Sequence, residues 1–153
     1  MVARGEGQII AGRFRLDALL GEGGMGAVWA ATHTITRRRA ALKLVKGADA
    51  SPERRGRLLR EARAAAGVVH PNVIEVLDVF ELDDGTPVMV MELLEGESLG
   101  ARLLRTGTLE VPEAAGVLVQ VVSAVGAAHA AGVVRATSRR ATSFSRRPPA
   151  RRA

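Results

Sequence analysis

Gly21, Gly23 and Gly26 stand at the spacing G-x-G-x-x-G in "GEGGMG", between the runs "RFRLDALL" and "AVWAAT". Positions without side chains let backbone N–H groups close over an anion, the chemistry of phosphate recognition. The spacing alone is ambiguous, because two unrelated phosphate sites share it. A dinucleotide-binding turn needs a helix after the glycines and an acidic residue about 20 positions on. Here "AVWAAT" is β-prone and positions 43–47 read "KLVKG". No Gly-Lys-Ser/Thr occurs, which excludes the Walker arrangement too. A glycine loop between two strands remains.

Lys43 interrupts the apolar run Ala40, Ala41, Leu42, Leu44 and Val45. One role for it is that of an edge-strand lysine that snorkels into water. The other is a phosphate contact beneath the glycine loop. Alternation puts Ala41 and Lys43 on one face, so a flat base can rest on Ala41 while Lys43 reaches phosphate oxygens. A half-buried ammonium needs an anionic partner. Glu61, three residues after Leu58 and four before Ala65, lies near the apolar stripe of the following helix and can serve. A glutamate on a solvated helix surface is the alternative.

These residues need elements to hold them. In "RFRLDALL", Phe14, Leu16, Ala18 and Leu20 recur at period two, which predicts a strand with all four on one face. "AVWAAT" and "RRAALKLV" (38–45) are the next two strands. From Ser51 the pattern turns helical, with Ser51 able to cap, Pro52 at the first position, Glu53 at the positive end, and Leu58, Leu59, Ala62, Ala65 and Ala66 on one stripe. "HPN" at 70–72 stops that helix. "VIEVLDVF" and "TPVMVMEL" follow as strands, joined through the hairpin signal "DDG". After Gly96 a short helix over Leu99–Leu104 and a longer one from about Pro112 to Ala131 are expected.

The chain has 153 residues, enough for one ordinary domain, and a net charge of +6. Its location decides what that charge means. Residues 1–134 hold 15 Lys and Arg against all 16 Asp and Glu, whereas residues 135–153 hold 7 Arg and no acid. The basicity belongs to the tail alone; no nucleic-acid partner is expected, and a membrane or nucleic-acid tether through these arginines is the alternative. The tail is low in apolar content, rich in one charge and broken by prolines, the composition of a disordered segment. Cysteine is absent and no apolar leader begins the chain, which together suggest a cytoplasmic protein. Ala114–Val134 carries no Asp, Glu, Lys or Arg, yet Gln120, Ser123, His129 and three glycines weigh against a membrane span. A buried helix of a soluble domain is expected.

In order along the chain, "LGEGGMGAVW", "RRRAALKLV", "LLREARAAAGVVHPNVI" and "VMVMELLEGESL" resemble the N-terminal half of a protein kinase domain, over residues 13–134. The likeness is greatest to bacterial serine/threonine kinases of the eukaryotic type. It implies an α+β fold: a kinase-like N-lobe with a five-stranded antiparallel sheet and one helix over 13–95, then the first two C-lobe helices over 96–134. Residues 1–12 are then an extension and 135–153 a tail. It further implies that Leu20, Gly21, Glu22, Gly23, Gly24, Met25, Gly26, Ala27 and Val28 form a lid over ATP, with Ala41 against the base and Lys43 on the phosphates. Glu61 would pair with Lys43, Met91 takes the gatekeeper position, and Glu92 to Leu94 form the adenine-binding hinge. In the family, the ATP γ-phosphoryl group passes with Mg²⁺ to a protein Ser or Thr hydroxyl.

The likeness breaks at the tail. A kinase of this type next needs H-R-D-x-x-x-x-N and then D-F-G, which supply a base and metal ligands. Arg135 stands where the histidine belongs, Thr137 for the aspartate and Thr142 for the asparagine, and no Asp or Glu follows Glu113. Threonine is neither a carboxylate base at neutral pH nor a charged metal ligand. From Ala136 onward, codons read one base earlier permit Arg-Asp-Leu-Thr-Pro-Gly-Asn-Ile, which resembles the missing loop. A slipped reading frame near codon 135 is the expectation, and it also accounts for the arginines, since out-of-phase GC-rich codons readily yield Arg, Ala, Pro and Ser. A naturally divergent C-terminus is the alternative. The chain as written is expected to lack catalysis and to expose Val117, Leu118, Val121, Val122 and Val125, which the missing lobe of a kinase domain would bury.

Overall fold

Period-two patterning in the first half of the chain produces a sheet, and 3.6-residue patterning after it produces helices. A computed structural model describes residues 4–24, 26–45, 56, 59–60, 62–64 and 66–133. Two compact units result, Met1–Leu93 and Leu94–Ala153. The first holds strands β1 (Ile9–Ile10), β2 (Phe14–Gly23), β3 (Gly26–His33), β4 (Arg39–Val45), β5 (Val76–Glu81) and β6 (Pro87–Met91). All pairings are antiparallel, in the order β1-β2-β3-β4-β6-β5.

The sheet has six strands where five were expected, because β1 lies in the stretch set apart as an extension. Ile9 pairs with Arg15 and Ile10 with Phe14, and Ile10 is only 1% exposed. A positive-φ turn at Ala11 and Gly12 (50° and 67°) folds β1 back onto β2. Two residues are too short a run for periodicity to reveal.

Residues directly opposite in an antiparallel ladder project to the same side. Ile10, Phe14, Leu16, Trp29, Ala31, Ala40, Leu42, Leu44, Val88 and Val90 form one buried cluster, with Ala27, Phe80 and Leu82 packed against it. The sheet curls so that this face lies inside. Phe14 on β2 and Phe80 on β5, close to opposite edges of the strand order, stack with ring centroids 6.5 Å apart. The Arg13 guanidinium lies 4.7 Å from the Phe80 centroid and 3.3 Å from the Asp78 carboxylate. Arg4 adds a second tie across the opening, 2.6 Å from Asp84 in the β5–β6 turn.

Strand β2 corrects the period-two expectation. Its register against β3 shifts between Leu16 and Ala18 and again between Leu19 and Gly21. Leu16 pairs with Ala31 on the core side, but Ala18 pairs with Ala30 on the outer side. Phe14 and Leu16 are buried as predicted, whereas Ala18 has changed faces and Leu20 is 54% exposed. Each β-bulge inserts one unpaired residue and so reverses the alternation beyond it.

Beyond β4, residues 56, 59–60, 62–64 and 66 are helical. The capping residues Ser51, Pro52 and Glu53, together with Leu58 and Ala65, lie outside the described residues. The break at "HPN" is a turn in which His70 Nδ1 accepts from Asn72 N at 3.1 Å. The "DDG" hairpin forms as expected, with Gly85 at φ 75° and Leu82 N donating to Thr86 O at 3.0 Å.

In the second unit, α1 (Leu99–Thr106) and α2 (Val111–Ala130) follow each other closely. Ser98 Oγ caps α1 by accepting from Ala101 N at 3.1 Å, and Gly107, at φ 76°, closes it. Arg102 reaches Glu113 at 2.6 Å and Glu97 at 3.6 Å, joining the two helix starts, while Arg105 also pairs with Glu97. The long helix buries none of its residues, and Leu118, Val119, Val121, Val122 and Val125 are exposed. By length and composition alone, α2 is long and apolar enough to cross a membrane. Residues 135–153 lie outside the described residues.

Acid sensitivity follows from two carboxylates. A hydrogen bond from Thr32, with Arg15 beside it, holds Asp17 below its ordinary pKa, and Thr86, with Arg4, does the same for Asp84. Both folded pKa values lie below the unfolded ones. Their stabilisation is therefore complete above the unfolded value of about 3.9 and is lost as pH falls through the lowered folded value. Melting followed by circular dichroism should be flat from about pH 7 to 5 and fall below about pH 4. The Asp17→Asn/Asp84→Asn double variant should show a shallower acid limb, and an identical limb would contradict this assignment.

Candidate functional site on the outer face of the sheet

The face opposite the core carries two in-register rows. Gly21 pairs with Val28, Val28 with Lys43, Lys43 with Met89 and Met89 with Val79. One step along, Ala18 pairs with Ala30, Ala30 with Ala41, Ala41 with Met91 and Met91 with Val76. Lys43 is half-buried, flanked by Val28 and Met89, which are also half-buried. Ala30, Ala41 and Met91 are buried. A smooth patch of alanine and methionine thus adjoins a lysine in line with a glycine.

Among the described residues, no hydrogen bond or ion pair occupies the Lys43 ammonium. Glu61, the partner suggested by the helix pattern, lies outside the described residues, as does Met25. The other glycine-loop residues take three kinds of place. Leu20, Gly21, Glu22, Gly23 and Gly24 are exposed, Val28 faces the Lys43 side, and Ala27 turns inward onto the core. Ala27 therefore brings its backbone, and not its side chain, to the loop.

Gly26 is the glycine that the fold itself requires. Its φ is 134°, and a Cβ there would lie 2.0 Å from Leu44 O on β4. Gly21 and Gly23 differ: a Cβ at either would meet nothing within 4 Å. Close packing inside the protein explains the third glycine and leaves the first two to be explained by what approaches from outside.

The segment after Met91 is anchored by Glu92. Its backbone N donates to Glu75 O at 3.0 Å, and its Oε1 accepts from Glu75 N at 3.0 Å. This two-point clamp fixes the end of β6 against the start of β5. Leu93 closes the first unit and Leu94 opens the second, so the stretch read as a hinge spans their boundary. Among the described residues there is no cluster of three His, Asp or Glu fit to hold a metal ion.

Sequence reading missed Ala18, Ala30 and Met89 on this face. Ala18 was hidden by the bulge, and Ala30 and Met89 carry no chemical signature. A cross-strand register, which needs both partners, is what identifies them.

Residues 14–136 match the protein kinase domain family. Over 130 residues the chain is 38% identical to the probable serine/threonine-protein kinase PknB of Corynebacterium glutamicum, covering 82% of this chain and 20% of that protein. It is 43% identical over 122 residues to the serine/threonine-protein kinase PknE of Mycobacterium bovis, covering 79% and 21% respectively. The PknI kinase domain of Mycobacterium tuberculosis superposes with a TM-score of 0.72 at 29% identity, over 85% of this chain and 52% of that one. The chain thus spans about a fifth of the length of these two curated relatives and about half of the solved kinase domain.

The glycines separate experimentally. Gly26→Ala should destabilise the first unit by roughly 1–3 kcal/mol or more, from left-handed strain plus the clash with β4. Gly23→Ala should change stability by less than about 1 kcal/mol. Urea unfolding followed by Trp29 fluorescence measures both, and equal losses would refute the distinction.

Proposed function

The chain belongs to the protein kinase family, and we propose that it is the nucleotide-gripping portion of a bacterial serine/threonine protein kinase, one that binds ATP on the outer face of its sheet. The observation that carries this is the row Gly21–Val28–Lys43, with Ala41 beside Lys43 on the same face. Adenine rests between Leu20, Val28, Ala41 and Met91, with Glu92 to Leu94 along its edge. Backbone N–H groups of Gly21 to Gly26 cover the phosphates, and Lys43 neutralises them as a point charge. The open space at Gly21 and Gly23 supports a backbone that a phosphate can approach closely. The family resemblance gives Glu61 the role of the lysine's partner. ATP bound there supplies a transferable γ-phosphoryl group, and in the intact family a protein Ser or Thr hydroxyl receives it.

Mg²⁺ does not fit the residues present. No Asp or Glu follows Glu113, and Thr137 and Thr142 stand where a base and a metal ligand are required. On this reading the 153 residues hold the nucleotide-gripping groups and not the base and metal ligands of transfer. The change of composition at Arg135 supports a slipped reading frame as the cause, and the exposed Leu118, Val122 and Val125 of α2 suit a helix that later segments of a full kinase domain would cover. The protein acts in the cytoplasm. A non-catalytic regulatory module that binds nucleotide is the second reading, favoured by the same missing carboxylates.

Titration with mant-labelled ATP, competed by unlabelled ATP, tests nucleotide binding. The parent chain should bind, and Lys43→Met should weaken binding by roughly tenfold or more; equal affinities would rule out Lys43 as the phosphate contact. Sequencing the coding DNA past codon 135 decides between the two readings. An adjacent frame that continues into Arg-Asp-Leu, an Asn and D-F-G supports a slipped kinase gene, and an immediate stop supports the regulatory module.

A further inference from the structure

The two bulges in β2 solve a conflict within one strand. Phe14 and Leu16 must point into the core, and Gly21 must stand in the Lys43 row on the outer face. If the Leu16–Ala31 pairing ran on unbroken, residue 17 would face residue 30, 18 would face 29 and 19 would face 28. Leu19 would then occupy the place of Gly21 beside Val28 and Lys43, and Ala18 would turn inward toward Trp29. One extra residue near Asp17 and another near Leu20 advance the strand by two positions and bring the glycine into line.

The first bulge has an anchor. The Asp17 carboxylate accepts from Thr32 Oγ1 at 2.6 Å and from Arg15 Nε at 3.0 Å, and Thr32 itself pairs with Arg15 and Arg39 in the two ladders. The extra residue is thus tied by its own side chain to β3. Charge-assisted hydrogen bonds of this length are the strong kind.

We propose that Asp17 is a positioning residue for the nucleotide site: by holding the bulge against Thr32, it keeps Gly21 in register with Val28 and Lys43, and Gly23 with Gly26, without touching the nucleotide. This rests on the ATP reading of the outer face, but its register half can be measured without nucleotide.

The full chain contains no cysteine, so an engineered A18C/A30C pair reports the register unambiguously. With the bulge in place these positions are direct cross-strand partners, and a short bis-methanethiosulfonate, which forms a disulfide with each cysteine and releases methanesulfinate, should join them. Adding Asp17→Ala should abolish the cross-link in protein that circular dichroism shows to be folded. In the chain without added cysteines, Asp17→Ala and Thr32→Val should each weaken mant-ATP binding on the order of tenfold, the scale of one hydrogen bond to a charged group. Thr32→Ser, which retains the hydroxyl, should bind like the parent. A role confined to general stability would lower the melting temperature and leave the affinity of the folded protein unchanged. That result, or a cross-link that survives Asp17→Ala, overturns the proposal. If Asp17→Ala does not fold, Asp17→Asn and Thr32→Val carry the same comparison. Should the parent fail to bind mant-ATP, the ATP reading falls, and the cross-link alone decides whether Asp17 sets the register.

Discussion

Closure of the curled sheet is the constraint from which the rest of the first unit follows. Phe14 near one edge and Phe80 at the other approach to 6.5 Å, and only a rolled sheet brings them together. Arg13 fills the seam, its guanidinium over the Phe80 ring and its charge against Asp78. That ion pair is about half exposed and contributes little by itself. The apolar contact beneath it, continuous with Ile10, Leu16, Leu42 and Val90, is what stabilises the roll. Once the sheet closes this way, one face is committed to the core and the other carries the Gly21–Val28–Lys43 row with Ala41 and Met91 beside it.

A closed roll demands more of β2 than a flat sheet would. The strand must contribute large apolar side chains to the interior at its start and small, accessible backbone to the exterior at its end. Uniform alternation cannot satisfy both in the register that β3 imposes. The bulges reconcile the two demands, and the polar cluster of Asp17, Arg15 and Thr32 occupies the point where the strand changes roles. Gly26 shows the same economy at the far end of the hairpin, where β3 passes so close to Leu44 that no side chain fits.

The second unit is held by different means. Ser98 and Gly107 cap α1, and Arg102 with Glu97 and Glu113 locks the turn between α1 and α2. Arg105 draws Glu97 below the ordinary carboxylate range, consistent with a persistent pairing. These local devices shape two helices, and Leu118, Val119, Val121, Val122 and Val125 of α2 stay exposed. The relatives extend well beyond this chain, which spans about a fifth of their length.

Much of this was legible in the residues themselves. The glycine spacing, the lysine in an apolar run and the "VMVMELLEGESL" segment identify the family, because each is a local pattern whose chemistry depends on neighbours in sequence. Ala41 and Lys43 share a face by alternation alone, and the two helices after Gly96 fall close to where their pattern placed them. What pairs across strands was not legible. Ala18 beside Ala30, Ile10 in the core and Met89 next to Lys43 depend on hydrogen-bond register between segments far apart in the chain. That register is chosen by the closure of the whole sheet. Periodicity states which residues of a strand agree with one another; only tertiary packing decides which face they share with the rest, and a single bulge reverses the answer.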